Sequence, residues 1–108
     1  MAKVLEDLEL IIAQRQKAGD SENSYTAKLL NSSADKLLKK IGEEATETVI
    51  AGAFKDKQAL IYESCDLIYH LMVLWAKEGI CLNDIELELA RRFSMSGILE
   101  KKLRGEER

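Results

Sequence analysis

The chain has 108 residues, 46% of them hydrophobic and 32% charged, with six Gly, two Cys and no Pro. That length holds one domain, spanning residues 1–108, whose small core leaves a partner chain something to complete. A formal net charge of -3 provides no basic face to displace the counterions of duplex nucleic acid, so nucleic-acid binding is not expected.

The absence of Pro and the recurrence of apolar residues at three- and four-residue spacing predict an all-α protein. A first helix is expected from about Lys3 to Lys17 on the stripe Leu5, Leu8, Ile11 and Ile12, ending in the polar run 18–23. Its leading residues include Glu6 and Asp7, where a signal peptide would need an unbroken apolar stretch, so the expected location is cytoplasmic. Ser24 is placed to cap a short helical turn, and Ser32 or Ser33 to cap a long helix ending near Phe54. After Lys55-Asp56-Lys57, another long helix is expected from Gln58 to Glu78, closed by Gly79 in a left-handed cap. Two long helices joined this tightly run antiparallel. Asn83 with Glu86 predicts a capped helix from Asp84 to about Phe93, and 98–104 a last turn or two. Cys65 and Cys81 lack CxxC or Cys/His spacing and read as buried, reduced thiols.

On the helix before Phe54, Glu43, Glu44 and Glu47 fall within about 100° of one another, with Lys36 and Lys40 one and two turns earlier on the same side. Leu37, Leu38, Ile41, Ala45, Thr48 and Val49 gather opposite, so this helix alone reads as one with an ordinary solvated face. The next helix differs. Between Gln58 and Ala76 there is no Lys or Arg, and apolar residues surround its axis, yet Glu63 and Asp66 sit in its middle three residues apart. Those carboxylates oppose a membrane span, and burying them in protein needs something positive nearby.

Lysines, protons or a metal ion can supply that charge, and the pattern favours the metal. Glu44 with Glu47 and Glu63 with Asp66 place two pairs of acids on antiparallel helices, an all-oxygen set suited to Mg²⁺ or Mn²⁺ rather than zinc. Only one histidine is present, which excludes a Glu-x-x-His di-iron bundle. That residue, His70, shares the face of Glu63 and Asp66 and is placed to meet a ligand carboxylate or a substrate phosphate, or to be a satisfied core histidine. A hard dication beside Lys36, Lys39 and Lys40 suits polyphosphate chemistry, with Glu43 or Glu47 available to activate water.

Glu43-Glu44-Ala45-Thr46-Glu47 followed by Glu63-Ser64-Cys65-Asp66 resembles the EExxE…ExxD signature of the all-α, MazG-like nucleotide pyrophosphohydrolases. Within that superfamily, Lys39-Lys40-Ile41-Gly42-Glu43-Glu44-Ala45, Asp66-Leu67-Ile68-Tyr69-His70, Ser24-Tyr25-Thr26 and the tail Arg91…Ser96-Gly97…Glu100-Lys101…Arg104 resemble the phosphoribosyl-ATP pyrophosphohydrolase family. The likeness runs from about Leu5 to Arg104, with Ser33 where that family has Gly. It implies an antiparallel helical bundle whose core is completed by homodimerisation, with two active sites. It also implies Mg²⁺-dependent hydrolysis of the α–β phosphoanhydride of 1-(5-phosphoribosyl)-ATP, the second step of histidine biosynthesis. By the same resemblance Glu44, Glu47, Glu63 and Asp66 bind metal, and Lys36, Lys40 and Arg92 meet phosphates. The phosphoribosyl-AMP cyclohydrolase fused to many relatives would be a separate polypeptide here.

Two other readings remain open at this level. One is a housecleaning pyrophosphohydrolase of ordinary or damaged nucleoside triphosphates. The other is a noncatalytic helical module whose acids pair with Lys36, Lys39 and Lys40.

Overall fold

A computed structural model describes residues 2–19 and 24–93, which form five helices and, among the described residues, no strand. These are α1 (Ala2–Ala18), α2 (Tyr25–Asn31), α3 (Ala34–Ala53), α4 (Lys57–Lys77) and α5 (Leu82–Phe93). The expected turn at 98–104, with Ser96, Gly97, Glu100 and Lys101, lies outside the described residues.

The helix ends show why the chain folds back so sharply. Ser24 caps α2 by accepting from the Ala27 amide at 3.1 Å. At the end of α3, Lys55 N–H donates to the Gly52 carbonyl and Asp56 N–H to that of Ala51, a Schellman closure with Lys55 in the left-handed region at φ 56°. Asp56 then caps α4, its Oδ1 accepting from the Ala59 amide at 3.1 Å. One residue thus ends one helix and starts the next. Gly79, at φ 73°, closes α4 through the same pair of bonds, to the Ala76 and Trp75 carbonyls.

Two caps differ from expectation. Ser33 occupies the N-cap of α3 but its side chain makes no capping bond. α5 begins at Leu82 rather than Asp84, because Asp84 reaches back to the Cys81 amide at 2.9 Å and Glu9 of α1 accepts from the Leu82 amide at 2.7 Å. Asn83 and Glu86 are not needed for that cap.

The core joins Ile12 of α1, Leu29 and Leu30 of α2, Leu37 of α3, and Met72 and Val73 of α4, with Leu8, Ile41, Tyr69 and Trp75 around them. Burying each large side chain contributes about 1.5–3 kcal/mol. α3 and α4 pack along their lengths, and α1 and α2 cover the late part of α4. The pairing is antiparallel: Glu44 meets His70, and three residues later Glu47 meets Glu63.

The inward face of α3 corrects the helical-wheel reading. Leu37 and Ala51 are buried, Ile41 and Thr48 half-buried, and Glu44, at 6% exposure, stands in line with them. Leu38 and Val49 are exposed instead. Glu44 therefore belongs to the packed seam, because α4 turns Glu63, Asp66 and His70 toward α3 at alternating three- and four-residue spacing.

Among the described residues, α4 does not have its whole circumference covered. Ile61, Tyr62, Cys65 and Ile68 form an exposed stripe along it, and Val49 and Ile50 of α3 and its capping residue Phe54 are exposed as well. Cys65 and Cys81 are both exposed, which corrects the expectation of buried thiols. Cys65 lies on that uncovered stripe, and Cys81 lies in the α4–α5 turn with its Sγ donating to Asp84 Oδ2 at 3.3 Å. By length and composition alone α4 would pass as a membrane span, but its seam carries the acids and packs on α3.

Candidate active site

Glu44 is held at the point where α2, α3 and α4 meet. Nδ1 of His70, itself 4% exposed, lies 2.7 Å from Glu44 Oε1 and bonds the Asp66 carbonyl at 2.9 Å. Nε2 faces the Tyr25 hydroxyl at 3.0 Å. Because the Nδ1 hydrogen is directed at the carbonyl, Glu44 Oε1 is buried beside the ring with no aligned donor. A buried carboxylate oxygen left this way is costly unless a cation answers it. The Tyr25 hydroxyl holds its proton more tightly than an ordinary phenol, mainly because of burial, with the charge of Lys40 opposing that shift and Tyr69, Glu44 and Asp66 adding to it.

The other acids lie along the same seam toward the α3–α4 turn. The Glu63 carboxyl is pushed above the usual glutamate range by desolvation, by the charge of Glu47 and a hydrogen bond with it, and then by Asp66 and Glu44. So Glu44, Glu47 and Asp66 all act on Glu63, and the four acids stand together as a quartet. Among the described residues, however, no three acids already converge into a closed metal cage. The quartet fits a hard cation by its all-oxygen donors, its mutual repulsion and its buried unpaired oxygen. Beyond Glu47 and Glu63 a cleft of about 290 Å³ runs past Ile50, Phe54 and Ala59.

The lysines do not neutralise these acids. Among the described residues, none of Lys36, Lys39 and Lys40 forms an ion pair, so the noncatalytic module held together by such pairs loses its basis. Lys36 and Lys39 are exposed, and half-buried Lys40 lies close enough to act on Tyr25. Glu43 is exposed beside the quartet. Arg92 is not brought to it; its guanidinium bonds Glu88 on α5 at 2.9 Å, as does that of Arg91. His70 meets the ligand-type carboxylate, and both its ring nitrogens are engaged inside the protein.

Sequence reasoning passed over the groups that hold α2 in place. Thr26 Oγ1 bonds the Tyr69 hydroxyl, and Tyr69 stacks on Tyr25 with ring centroids 6.4 Å apart. Lys77 Nζ donates to the carbonyls of Leu29, Leu30 and Ser32 at 3.3, 3.0 and 2.7 Å. The visible signals were the Ser24 cap and the family-like runs Ser24-Tyr25-Thr26 and Asp66-Leu67-Ile68-Tyr69-His70, none of which says what α2 packs on.

An all-helical hairpin carrying acid pairs three residues apart on its two facing helices agrees with the MazG-like class of nucleotide pyrophosphohydrolases that the sequence resembles. Comparison with known proteins narrows this. Residues 5–93 match the family model described as phosphoribosyl-ATP pyrophosphohydrolase. Proteins named phosphoribosyl-ATP pyrophosphatase are similar along nearly their full length. That of Paramagnetospirillum magneticum is 47% identical over 106 residues, covering 98% of this chain and 96% of the relative. That of Trichlorobacter lovleyi is 48% identical over 103 residues, covering 95% and 94%, and that of Rhizobium meliloti 50% over 97 residues, covering 90% of each. The chain belongs to the phosphoribosyl-ATP pyrophosphohydrolase family, and it is an enzyme.

Proposed function

We propose that the protein hydrolyses the α–β phosphoanhydride of 1-(5-phosphoribosyl)-ATP to 1-(5-phosphoribosyl)-AMP and pyrophosphate, in the cytoplasm, as the second step of histidine biosynthesis. The observation that carries this reading is the acid quartet on α3 and α4, with Glu63 pushed up by its neighbours and Glu44 Oε1 buried without a donor. Family membership supports the choice of substrate.

In this reading Glu44, Glu47, Glu63 and Asp66 hold Mg²⁺, for which Mn²⁺ can substitute. When bound, the ion neutralises phosphate oxygens and polarises phosphorus. Glu47, exposed at the open end of the seam, or Glu43 beside it, accepts the proton of the attacking water. Lys36, Lys39 and Lys40 along α3 meet the remaining phosphate charge. His70 contributes through Glu44 rather than by touching phosphate, because its nitrogens are already engaged. Arg92 reaches substrate only by leaving Glu88.

The exposure of so many large apolar residues, Ile61, Tyr62 and Ile68 on α4 and Val49, Ile50 and Phe54 at α3, supports a homodimer with two sites, since uncovered apolar surface is characteristic of interfaces. The product is then the substrate of a phosphoribosyl-AMP cyclohydrolase. Pyrophosphate release from phosphoribosyl-ATP, with and without Mg²⁺ and beside ATP, dCTP and dUTP, tests the proposal. Mg²⁺-dependent preference for phosphoribosyl-ATP is expected, and turnover of the plain triphosphates alone would replace it with nucleotide housecleaning.

A further inference from the structure

The Asp66 carbonyl and Glu44 Oε1, the two groups facing Nδ1 of His70, can only accept, so Nδ1 carries a hydrogen. Nε2, on the other side of a ring that is 4% exposed, has the Tyr25 hydroxyl opposite it at 3.0 Å. We infer that Tyr25 is a positioning residue for the acid site: its hydroxyl bonds Nε2 and holds the imidazole with Nδ1 turned toward Asp66 and Glu44. The inference rests on the reading of Glu44 as a cation ligand given above.

The physical reason is that an imidazole has two tautomers and two ring orientations, and only one combination suits the seam. The Nε2–H tautomer would aim an Nδ1 lone pair at the carbonyl and the carboxylate, which repels both and moves Glu44. Without the Tyr25 hydroxyl, Nε2 is buried with no partner, and the ring gains a reason to turn or change tautomer. Tyr25, the first residue of α2, keeps its place because the helix that follows is tied to α4, by Thr26 to Tyr69 and by Lys77 to the carbonyls at the helix end. A group on α2 thereby sets the orientation of a carboxylate on α3 through a ring on α4.

Exposed Tyr62 of α4 provides an internal control, since Tyr62→Phe removes the same hydroxyl eight residues away from His70. His70 is the sole histidine, so its ring nitrogens are unambiguous in ¹⁵N NMR of the full chain. In metal-free wild type a hydrogen on Nδ1 is expected, and a ring protonated at Nε2 alone overturns the inference. In Tyr25→Phe the ring signals should move from their wild-type positions, and Mn²⁺ affinity by calorimetry should fall about tenfold. Tyr62→Phe should leave both readouts at wild-type values. Unchanged signals and affinity in Tyr25→Phe, or equal losses in Tyr62→Phe, overturn the positioning role. Failure of wild type to bind Mn²⁺ overturns instead the reading of Glu44 as a ligand, and is distinguishable because the ring signals are recorded without metal.

Discussion

The two ends of the acid seam are built from the same residue type and behave differently. At Glu44 the carboxylate is 6% exposed, and a histidine, a tyrosine and a backbone carbonyl fix its surroundings. One turn nearer the α3–α4 connection, Glu47 is exposed and Glu63 half-buried, and their carboxyls face each other. The difference teaches that geometry and charge are supplied by different acids: the buried end provides a fixed position, and the open end provides negative charge free to rearrange. A hard cation requires both, because its oxygen ligands must be anionic and correctly placed.

The largest expected effect comes from breaking the open end. Glu63→Gln should abolish Mg²⁺-dependent pyrophosphate release with far-ultraviolet circular dichroism unchanged, and wild-type rates in that variant would sink the metal reading. Breaking the buried end should act on stability as well. His70→Ala removes the ring that joins three helices and leaves Tyr25 and Glu44 facing a gap, so urea denaturation should show a loss of about 3 kcal/mol. A loss no larger than that of an exposed substitution would mean the two ends are not different after all.

The smallest effect sharpens the comparison through pH. The Glu63 carboxyl is raised in the folded state by burial and by Glu47, so the fold binds its proton more tightly than the unfolded chain does. Its contribution is present in full below the ordinary glutamate value of 4.5 and is lost as pH rises from there through the raised folded value. The melting temperature of the metal-free protein should therefore decline across that window relative to Glu63→Gln. Parallel curves for the two proteins would contradict the repulsion at the open end.

Much of this was legible from spacing alone. The long helices and the antiparallel hairpin follow from apolar periodicity and the short connection around Asp56, and the two acid pairs follow from their positions on those helices. The burial of Glu44 was not legible, because a helical wheel assigns acids to solvent unless the facing helix is known to offer polar partners. Leu38 and Val49 failed for the converse reason: apolar character on a helical wheel does not supply a facing surface, and no described residue covers either side chain. Tyr25 was visible only within the family-like run Ser24-Tyr25-Thr26, without a role, and Lys77 not at all, because each acts across tertiary contacts and nothing local to either residue specifies its partner.

The bonds that seat α2 join residues far apart in the chain: Tyr25 and His70 are separated by 45 positions, Thr26 and Tyr69 by 43, and Lys77 and Leu29 by 48. The α3–α4 hairpin closes over a connection of three residues, 54–56. Loop-closure entropy disfavours the distant contacts until the hairpin exists to receive them, so α2 arrives late in folding and leaves early. A brief excursion in which only α2 lifts away would keep the hairpin helical while releasing His70 and uncovering Glu44. Native-state hydrogen exchange in low denaturant should accordingly show the α2 amides opening before those in the middle of α3 and α4, and simultaneous opening would mean that the hairpin and the strap across it fold as one unit.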